Sequence, residues 1–321
     1  MTTYGYFLSS EELSPGELVE NAVRGEQAGF ERLWISDHYH PWNDEQGESA
    51  FVWAVLGAIA ARTERVVVTT AVTCPTVRIH PAVIAQAVAT TQVLFGGRFQ
   101  FGVGTGEALN EHIFGDAWPH TDVRLEMLEE AVQVIRALWE GGTVNHRGQH
   151  YTVDAARIYS LPETLPPILI SGFGPKATEL AGRIGDGYMN VAPDGDLVTL
   201  YRDSGGTGPT HVGVKVCWAQ DPAKARKTVH RLWAHQAVPG EAAQVLYSPH
   251  QFEQISSVVT EEMAVGAVAA VGNDVAEFVE ALKPYAEAGF DEVYISQIGP
   301  DQEGFLRFWT EELEPALRAQ Q

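Results

Sequence analysis

The stretch FGVGTGEALNEH, residues 101–112, combines three closely spaced glycines with polar side chains that could carry acid–base chemistry. Gly102, Gly104 and Gly106 allow a sharp turn and a close approach of the backbone to a ligand, and Glu107 follows at once. Ligands of parallel α/β proteins bind beyond the carboxyl ends of strands, so an apolar strand that ends in this way predicts a site. An ordinary glycine turn remains the alternative, because the pattern lacks the spacing of a dinucleotide-binding fingerprint.

A second polar segment, ISDHYHPW at residues 35–42, contains side chains that suit three kinds of chemistry. Asp37, His38 and His40 could ligate zinc, but such a site usually needs a further placed ligand and none is obvious. The two histidines could instead be loop residues with local hydrogen bonds. In the third interpretation His38 is a general base, because an unperturbed histidine titrates near working pH.

Two carboxylates, Glu11 and Glu107, follow predicted strands and could form a glycosidase pair. Sugar-cleaving barrels usually carry several aromatic platforms near both carboxylates, and Trp42 is the one clear candidate here. A surface carboxylate without a catalytic role is the alternative for Glu11.

The loop SGFGPKA, residues 171–177, predicts an anion site. It is a tight glycine turn that leads into a helix with Pro175 at its first position, and free amides at such a start bind phosphate without lysines. An ordinary connection between a strand and a helix is the alternative.

Strand and helix signals alternate along the whole chain, which favours an α/β protein and specifically a (β/α)₈ TIM barrel. An open doubly wound sheet is the alternative, although the dinucleotide fingerprint is missing after the first strand. We predict one barrel domain over residues 1–321, with insertions around 141–160 and 236–271. The second insertion is expected to place helical segments over the C-terminal mouth. The predicted barrel strands are Tyr4–Leu8, Arg32–Ser36, Arg65–Val72, Arg98–Val103, Pro167–Ser171, Tyr188–Val191, Thr210–Trp218 and Glu292–Ser296.

Composition excludes several classes of function. The formal net charge is -21, from 42 acidic and 21 basic residues, which argues against nucleic-acid and anionic-membrane partners. No run approaches the ~18 apolar residues of a membrane span, and the first residues are typical of a strand rather than of a signal peptide. Cys74 and Cys217 are the only cysteines, which predicts a cytoplasmic protein without a disulfide framework.

Several motifs together resemble one family. ISDHYHPW, TAVTCPTVRIHPAVIAQA, GVGTGEALNE and AGRIGDGY are similar to segments of the deazaflavin (coenzyme F420)-dependent oxidoreductases of the bacterial luciferase-like family. The branch is that of F420-dependent glucose-6-phosphate and secondary-alcohol dehydrogenases. The similarity covers most of the chain and is weakest between residues 194 and 271. It implies a bound F420 that accepts hydride from the C–OH carbon of a small alcohol or sugar.

The resemblance also implies roles for individual residues. His38 matches the catalytic histidine, Trp42 the tryptophan over the reacting centre, and Glu107 and Glu11 the carboxylates of proton transfer. The peptide Ala71–Val72 falls where the family has a non-proline cis bond behind the ring. The remaining positions that match cofactor contacts are Asp37, Cys74, Thr105, Asn110, Phe173, Gly174 and Lys176.

Two departures from the family pattern bear on the ligands. Cys74 stands where the branch often has a threonine, and a thiol is a weaker hydrogen-bond donor than a hydroxyl. Asp194 stands where the sugar-phosphate enzymes carry a lysine, which predicts a substrate other than glucose 6-phosphate. The alternative is that a basic residue of the poorly matched region, such as Lys215, Lys224 or Arg231, reaches the mouth and replaces that lysine. An FMN-dependent monooxygenase of the same fold and a deazaflavin-binding barrel without turnover remain alternatives. Family members often form dimers, so a homodimer is expected by analogy.

Overall fold

The computed structural model describes residues 2–319 and contains a closed parallel barrel. Eight strands close the barrel in the order β9-β11-β1-β2-β3-β4-β7-β8, because β8 also pairs with β9. β10 pairs with the last residues of β9, Val216 to Trp218, beyond the part of β9 that pairs with β8, and β5 and β6 form a separate hairpin. The strands are β1 Thr3–Leu8, β2 Arg32–Ile35, β3 Val67–Thr70, β4 Phe99–Val103, β5 Val144–Arg147, β6 Thr152–Ala156, β7 Ile168–Ser171, β8 Gly187–Asn190, β9 Thr210–Trp218, β10 Ala270–Gly272 and β11 Glu292–Gln297.

Helices follow the strands and cover the outside of the barrel. The first of them begins with a capping box between Ser14 and Glu17 and with Pro15 in its first turn, which satisfies amides that the helix itself leaves free. The helices are α1 Pro15–Gln27, α2 Val52–Arg62, α3 Pro81–Leu94, α4 Ala108–Glu111, α5 Thr121–Trp139, α6 Pro175–Ile184, α7 Gly195–Asp203, α8 Pro222–Trp233, α9 Ala242–Val245, α10 Pro249–Ser256, α11 Glu261–Gly266, α12 Val275–Glu287, α13 Gln302–Phe308 and α14 Glu314–Arg318. Short 3₁₀ turns occupy His112–Phe114 and Ala234–Ala237, and a π turn occupies Trp309–Leu313.

The barrel interior is closed by aromatic side chains. The rings of Trp34 and Tyr294 stack with centroids 4.3 Å apart. A Cβ on Gly213 would lie 2.9 Å from the Trp34 ring, so a larger residue would not fit there without a shift. Because side chains alternate along a strand, His211, Gly213 and Lys215 of β9 share this inward face.

The eight predicted barrel strands are all present, and the (β/α)₈ fold is confirmed. The third strand is shorter than predicted, ending at Thr70 rather than Val72. The second insertion contains α9, α10 and α11. Three elements were not predicted: the short helix α4, the helix α7 and the short strand β10. No helix within residues 2–319 is long and apolar enough to cross a membrane.

Candidate active site

The predicted residues that follow β1, β2 and β4 meet at the carboxyl ends of these strands. Glu11 follows β1, His38 and Trp42 follow β2, and Glu107 and Asn110 follow β4. The structure thus gathers at one mouth of the barrel side chains that lie far apart in the sequence.

Glu11 is buried and lies against the imidazole of His38. Its Oε1 atom is 3.3 Å from Nε2 of His38, and its Oε2 atom accepts hydrogen bonds from Ser9 Oγ at 2.9 Å and Ser36 Oγ at 2.6 Å. Burial alone would raise the pKa of Glu11, but the neighbouring His38 and the hydroxyl donors outweigh it and lower the pKa. The carboxylate of Glu11 therefore stays ionised beside the ring of His38.

Asn110 connects His38 with Glu107. Its Oδ1 atom accepts hydrogen bonds from the backbone amides of Tyr39 at 2.9 Å and His40 at 3.2 Å, which assigns Nδ2 as the donor. Nδ2 lies 3.2 Å from Nδ1 of His38 and 3.4 Å from Oε2 of Glu107. Nδ1 of His38 is also 3.1 Å from the carbonyl oxygen of His40, so either ring tautomer finds a partner at this nitrogen.

Trp42 forms one wall of the space next to His38. Their ring centroids are 5.1 Å apart, and on its other side Trp42 stacks on His235 at 5.0 Å with an interplanar angle of 20°. Phe252 contacts Trp42 edge-on at 5.1 Å. The insertion between α8 and α12 thus supplies side chains to the mouth.

The carboxylate of Asp37 is engaged by a buried cluster rather than free for a ligand. It accepts hydrogen bonds from Thr73 Oγ1 at 2.8 Å and from Nη2 of Arg78 at 2.9 Å. The same arginine faces Glu111, whose Oε2 accepts from the Arg78 amide at 2.7 Å. Burial raises the pKa of Glu111 to about 7 although Arg78 opposes the shift. Sequence reasoning did not identify Arg78, which lies at the end of the loop after β3.

The loop after β3 holds the other predicted cofactor residues. The peptide Ala71–Val72 is cis, in agreement with the resemblance. Cys74 is buried, and its Sγ lies 3.0 Å from Oγ1 of Thr76, while burial raises the pKa of its thiol. Gly106 has a φ of 75°, and a Cβ there would lie 2.6 Å from this sulfur. The two loops after β3 and β4 therefore touch, and Thr105 lies partly exposed between them.

The start of α6 lies open at the end of β7. Its N-cap residue, Gly174, makes no side-chain capping bond, and a Cβ on Gly174 would meet no atom within 4 Å. Phe173 is 54% exposed. The ammonium of Lys176 already has a partner on the protein surface, because its Nζ donates to Asp122 Oδ1 at 2.6 Å.

Three further residues near the mouth were not among the predicted site residues. Glu12 accepts hydrogen bonds from Trp233 Nε1 at 2.6 Å and from the Gly299 amide at 2.7 Å, and burial raises its pKa to about 7. The ammonium of Lys215 lies 4.3 Å from the centroid of the Trp233 ring. The sequence offers a signal for Glu12, because this carboxylate follows β1 at the predicted mouth. Trp233 lies in an amphipathic helix, and no sequence feature marks it as a site residue.

A metal centre gains no support from the part of the chain that the structure describes. Within residues 2–319, no group of three or more His, Cys, Asp or Glu side chains is placed to hold a metal ion. Nδ1 of His40 contacts the carbonyl oxygen of Leu109 at 2.8 Å, and Asp37 is engaged as described.

The segment that carries Trp42 is joined to the end of α8 by side-chain amides. Asn43 Nδ2 and Gln46 Nε2 both donate to the carbonyl oxygen of Leu232, at 2.8 and 3.0 Å. The backbone amide of Trp42 in turn donates to Oε1 of Gln46 at 2.8 Å. The two walls of the mouth are therefore held together by these bonds.

Known proteins match this chain over nearly its whole length. F420-dependent glucose-6-phosphate dehydrogenases of Microbacterium testaceum and Nakamurella multipartita are 38% and 37% identical to it, over 98% of this chain and 97% and 96% of theirs. A solved F420-dependent secondary alcohol dehydrogenase in complex with an F420-acetone adduct superposes with a TM-score of 0.90 at 31% identity, covering 99% of both chains. A family model described as luciferase-like monooxygenase matches residues 2–292. The chain therefore belongs to the luciferase-like monooxygenase family.

Proposed function

We propose that this protein is an oxidoreductase that uses coenzyme F420 to oxidise a C–OH carbon of an alcohol or sugar, or to catalyse the reverse reduction. The observation that carries this proposal is the joint placement of Glu11, His38, Asn110 and Glu107 at the mouth of a barrel. That barrel superposes on a solved F420-dependent alcohol dehydrogenase over 99% of both chains.

The residues around the mouth fit a cofactor of this kind. The uncapped start of α6 offers backbone amides to a phosphate, and the open space at Gly174 leaves room for it. Elsewhere around the mouth, the loops after β3 and β4 are in contact at Cys74 and Gly106. We assign Asp37, Ala71, Val72, Cys74, Thr105, Asn110, Phe173, Gly174 and Lys176 to the cofactor site. Asp37 contributes to this site indirectly, because its bond to Arg78 fixes the loop after β3.

His38 is the proposed general base. With Nδ1 donating to the carbonyl of His40, Nε2 has a lone pair for the substrate's hydroxyl proton. The ionised Glu11 next to Nε2 stabilises the positive charge that the ring then gains. F420, when bound, would supply a hydride acceptor: the hydroxyl oxygen of the substrate would lose its proton to His38, its carbon would lose a hydride, and the C–OH group would become C=O. Asn110 holds Glu107 at the same mouth, where Glu107 is proposed to interact with the charge that develops on the cofactor. Trp42 is proposed to exclude water from the reacting centre.

The proposed substrate is a non-phosphorylated alcohol or sugar, although several relatives are named for glucose 6-phosphate. Asp194 caps α7 by accepting hydrogen bonds from the amides of Asp196 and Leu197, each at 3.1 Å, so it presents a carboxylate and no cation. Residues 253–274 contain neither lysine nor arginine. The ammonium of Lys215 near the mouth has Glu11 and Glu12 as electrostatic neighbours, so its charge is already opposed. A phosphate dianion without a free cationic partner loses ~3–5 kcal/mol, or ~10²–10³ in affinity. We expect a higher kcat/KM for glucose or a secondary alcohol than for glucose 6-phosphate, and the reverse order would contradict this proposal.

Absorbance spectroscopy of the purified protein tests the function itself. The protein is reconstituted separately with F420 and with FMN and is then mixed with a panel of alcohols and sugars. We expect binding of F420, no binding of FMN, and loss of the deazaflavin band when a substrate is added. Binding of FMN with oxygen consumption would instead indicate the monooxygenase alternative. F420 binding without bleaching by any alcohol, and without oxidation of reduced F420 by any ketone, would indicate a barrel without turnover.

The quaternary structure and location are further parts of this proposal. We propose a cytoplasmic homodimer in which residues 1–321 form one domain. Exposed apolar side chains on neighbouring helices support a dimer: Phe51 before α2 is 58% exposed, and Val83 and Leu94 of α3 are 57% and 56% exposed. Light scattering of the wild type and of Leu94→Glu tests this, and a monomeric wild type would refute it.

A further inference from the structure

The side chain of His235 has hydrogen-bonding capacity that the protein itself does not use. The residue is 7% exposed, and its Nδ1 atom is buried without a partner among residues 2–319. The second ring nitrogen is not enclosed in this way. Nε2 makes no hydrogen bond within the described residues either, so it is the nitrogen that a ligand in the mouth can reach.

His235 lies next to the proposed reacting centre, close enough for Glu11 and His38 to act on its charge. Its ring stacks on Trp42 at 5.0 Å, and the ring of His38 lies 5.1 Å from Trp42 on another side. The ring of Trp233 lies 5.2 Å from His235. A substrate at His38 that reaches past the edge of the Trp42 ring would meet His235 next.

Lys215 is the second group with unused capacity at this place. It shares the inward face of β9 with His211 and Gly213, and it lies deep in the protein while part of the residue remains accessible. Within residues 2–319 its ammonium makes neither an ion pair nor a hydrogen bond, and its one contact of this kind is the Trp233 ring at 4.3 Å. The ammonium is not among the fully enclosed polar atoms, so an oxygen of a ligand can approach it and supply the missing acceptor.

The charges around this pair favour a neutral ligand. Burial, followed by the nearby Lys215, lowers the pKa of His235 to about 3, so its imidazole is uncharged at working pH. Burial also lowers the pKa of Lys215, but Glu11 and Glu12 act on it in the opposite direction. The ionised Glu11 already balances the single ammonium, so no net positive charge is left for an anionic group.

We propose that His235 and Lys215 form a subsite for a neutral oxygen of the substrate, distinct from the hydroxyl that is oxidised. The substrate class is accordingly a polyol or an unphosphorylated sugar rather than a simple secondary alcohol. This inference rests on the proposed function of the same mouth, and it specifies the substrate class that the function leaves open. His235 and Lys215 act here by binding and positioning the substrate.

A series of matched alcohols tests the subsite. Cyclohexanol and the trans isomers of cyclohexane-1,2-, 1,3- and 1,4-diol share one carbon skeleton and differ in a second hydroxyl, and glucose extends the series. The wild type should show a kcat/KM at least ~10-fold higher for one of the diols or glucose than for cyclohexanol, the scale of one good hydrogen bond. His235→Phe preserves the aromatic stack and should lower this ratio ~10-fold, and His235→Gln should restore part of it. Lys215→Met should lower the ratio ~10- to 100-fold.

A binding measurement separates failure of the subsite from failure of the proposed function. The intrinsic fluorescence of Trp42 and Trp233 reports on ligands at this place, and titrations with cyclohexanol and the diols give dissociation constants in the presence and absence of F420. Diol binding that is weakened by His235→Phe but not by His250→Phe, an exposed histidine of α10, supports the subsite even without turnover. Equal affinity for cyclohexanol and every polyol, or a ratio unchanged in His235→Phe and Lys215→Met, would overturn the inference.

Discussion

Replacement of Asn110 by aspartate separates the structural role of this residue from its proposed role in proton transfer. Either oxygen of an aspartate can accept the backbone amides of Tyr39 and His40, which now donate to Oδ1 at 2.9 and 3.2 Å. The donor Nδ2, however, becomes a carboxylate oxygen. It then faces Nδ1 of His38, at 3.2 Å in the wild type, and Oε2 of Glu107, at 3.4 Å.

The magnitude follows from these distances. At an effective dielectric constant of about 20, unit charges 3.2–3.4 Å apart interact by about 5 kcal/mol. Asn110→Asp therefore stabilises the imidazolium form of His38, which is then flanked by two carboxylates and cannot accept the substrate proton. At 1.36 kcal/mol per pH unit, even half of this energy moves the rise of kcat with pH upward by about 2 units. Turnover at pH 7 should fall ~10²-fold and recover at high pH.

The assay is the pH profile of kcat for Asn110→Asp and for Asn110→Ala, together with chemical denaturation of both variants. Asn110→Ala leaves two backbone amides without their acceptor, at ~1–3 kcal/mol each, so its free energy of unfolding should fall by ~2–5 kcal/mol. Asn110→Asp keeps an acceptor for both amides, and its attraction to His38 opposes its repulsion by Glu107, so its stability should fall by less than that of Asn110→Ala. A wild-type pH profile for a folded Asn110→Asp would refute the proposed link between Asn110 and His38, and wild-type stability of Asn110→Ala would refute its role in holding the loop.

Four further substitutions test the proposed roles of His38, Glu107, Gly174 and Glu12. His38→Ala should lower kcat by ~10²-fold or more with little change in the F420 Kd, and Glu107→Gln should also reduce turnover; wild-type rates of F420 reduction in both would show that proton transfer is wrongly assigned. Gly174→Val should raise the F420 Kd ~10- to 100-fold, since each lost amide–phosphate bond is worth ~1.5–3 kcal/mol, whereas Gly142→Val, with equal room for a Cβ, should leave the Kd unchanged. Glu12 has its pKa raised from 4.5 to about 7 by burial, so the folded state binds the extra proton and loses stability as the pH rises through this range. The free energy of unfolding of the wild type relative to Glu12→Gln should thus fall by up to about 3 kcal/mol from pH 5 to pH 8, and a difference that is constant with pH would contradict the assignment.

The barrel could be predicted because its signals are local. Eight apolar runs each end in glycine or polar residues, and the helices between them carry their own start and stop signals, such as Ser14-Pro15 before α1. Because parallel strands of a barrel end at one mouth, their order alone places Glu11, His38 and Glu107 together. The resemblance supplied the cis peptide at Ala71–Val72, for which composition offers no signal.

The features that the sequence did not predict depend on contacts between distant segments. Arg78 is one of several arginines in the chain, and its burial between Asp37 and Glu111 becomes visible only when the loops after β2, β3 and β4 are assembled. His235 lies in a short 3₁₀ turn inside the insertion, where neither periodicity nor a motif marks it. The strand β10 has three residues, too few for an alternation to be recognised.

The amide bonds from Asn43 and Gln46 to the carbonyl of Leu232 have a consequence for protein engineering. They connect the loop of Trp42 to the segment that leads to His235. The position of each wall of the substrate space therefore depends on the other. A chimera that exchanges only residues 231–252 with a relative keeps a backbone carbonyl at position 232, but a shift in its position would break these two bonds and displace Trp42. Transfer of substrate preference between members of this fold therefore requires that residues 38–49 and 231–252 be exchanged together.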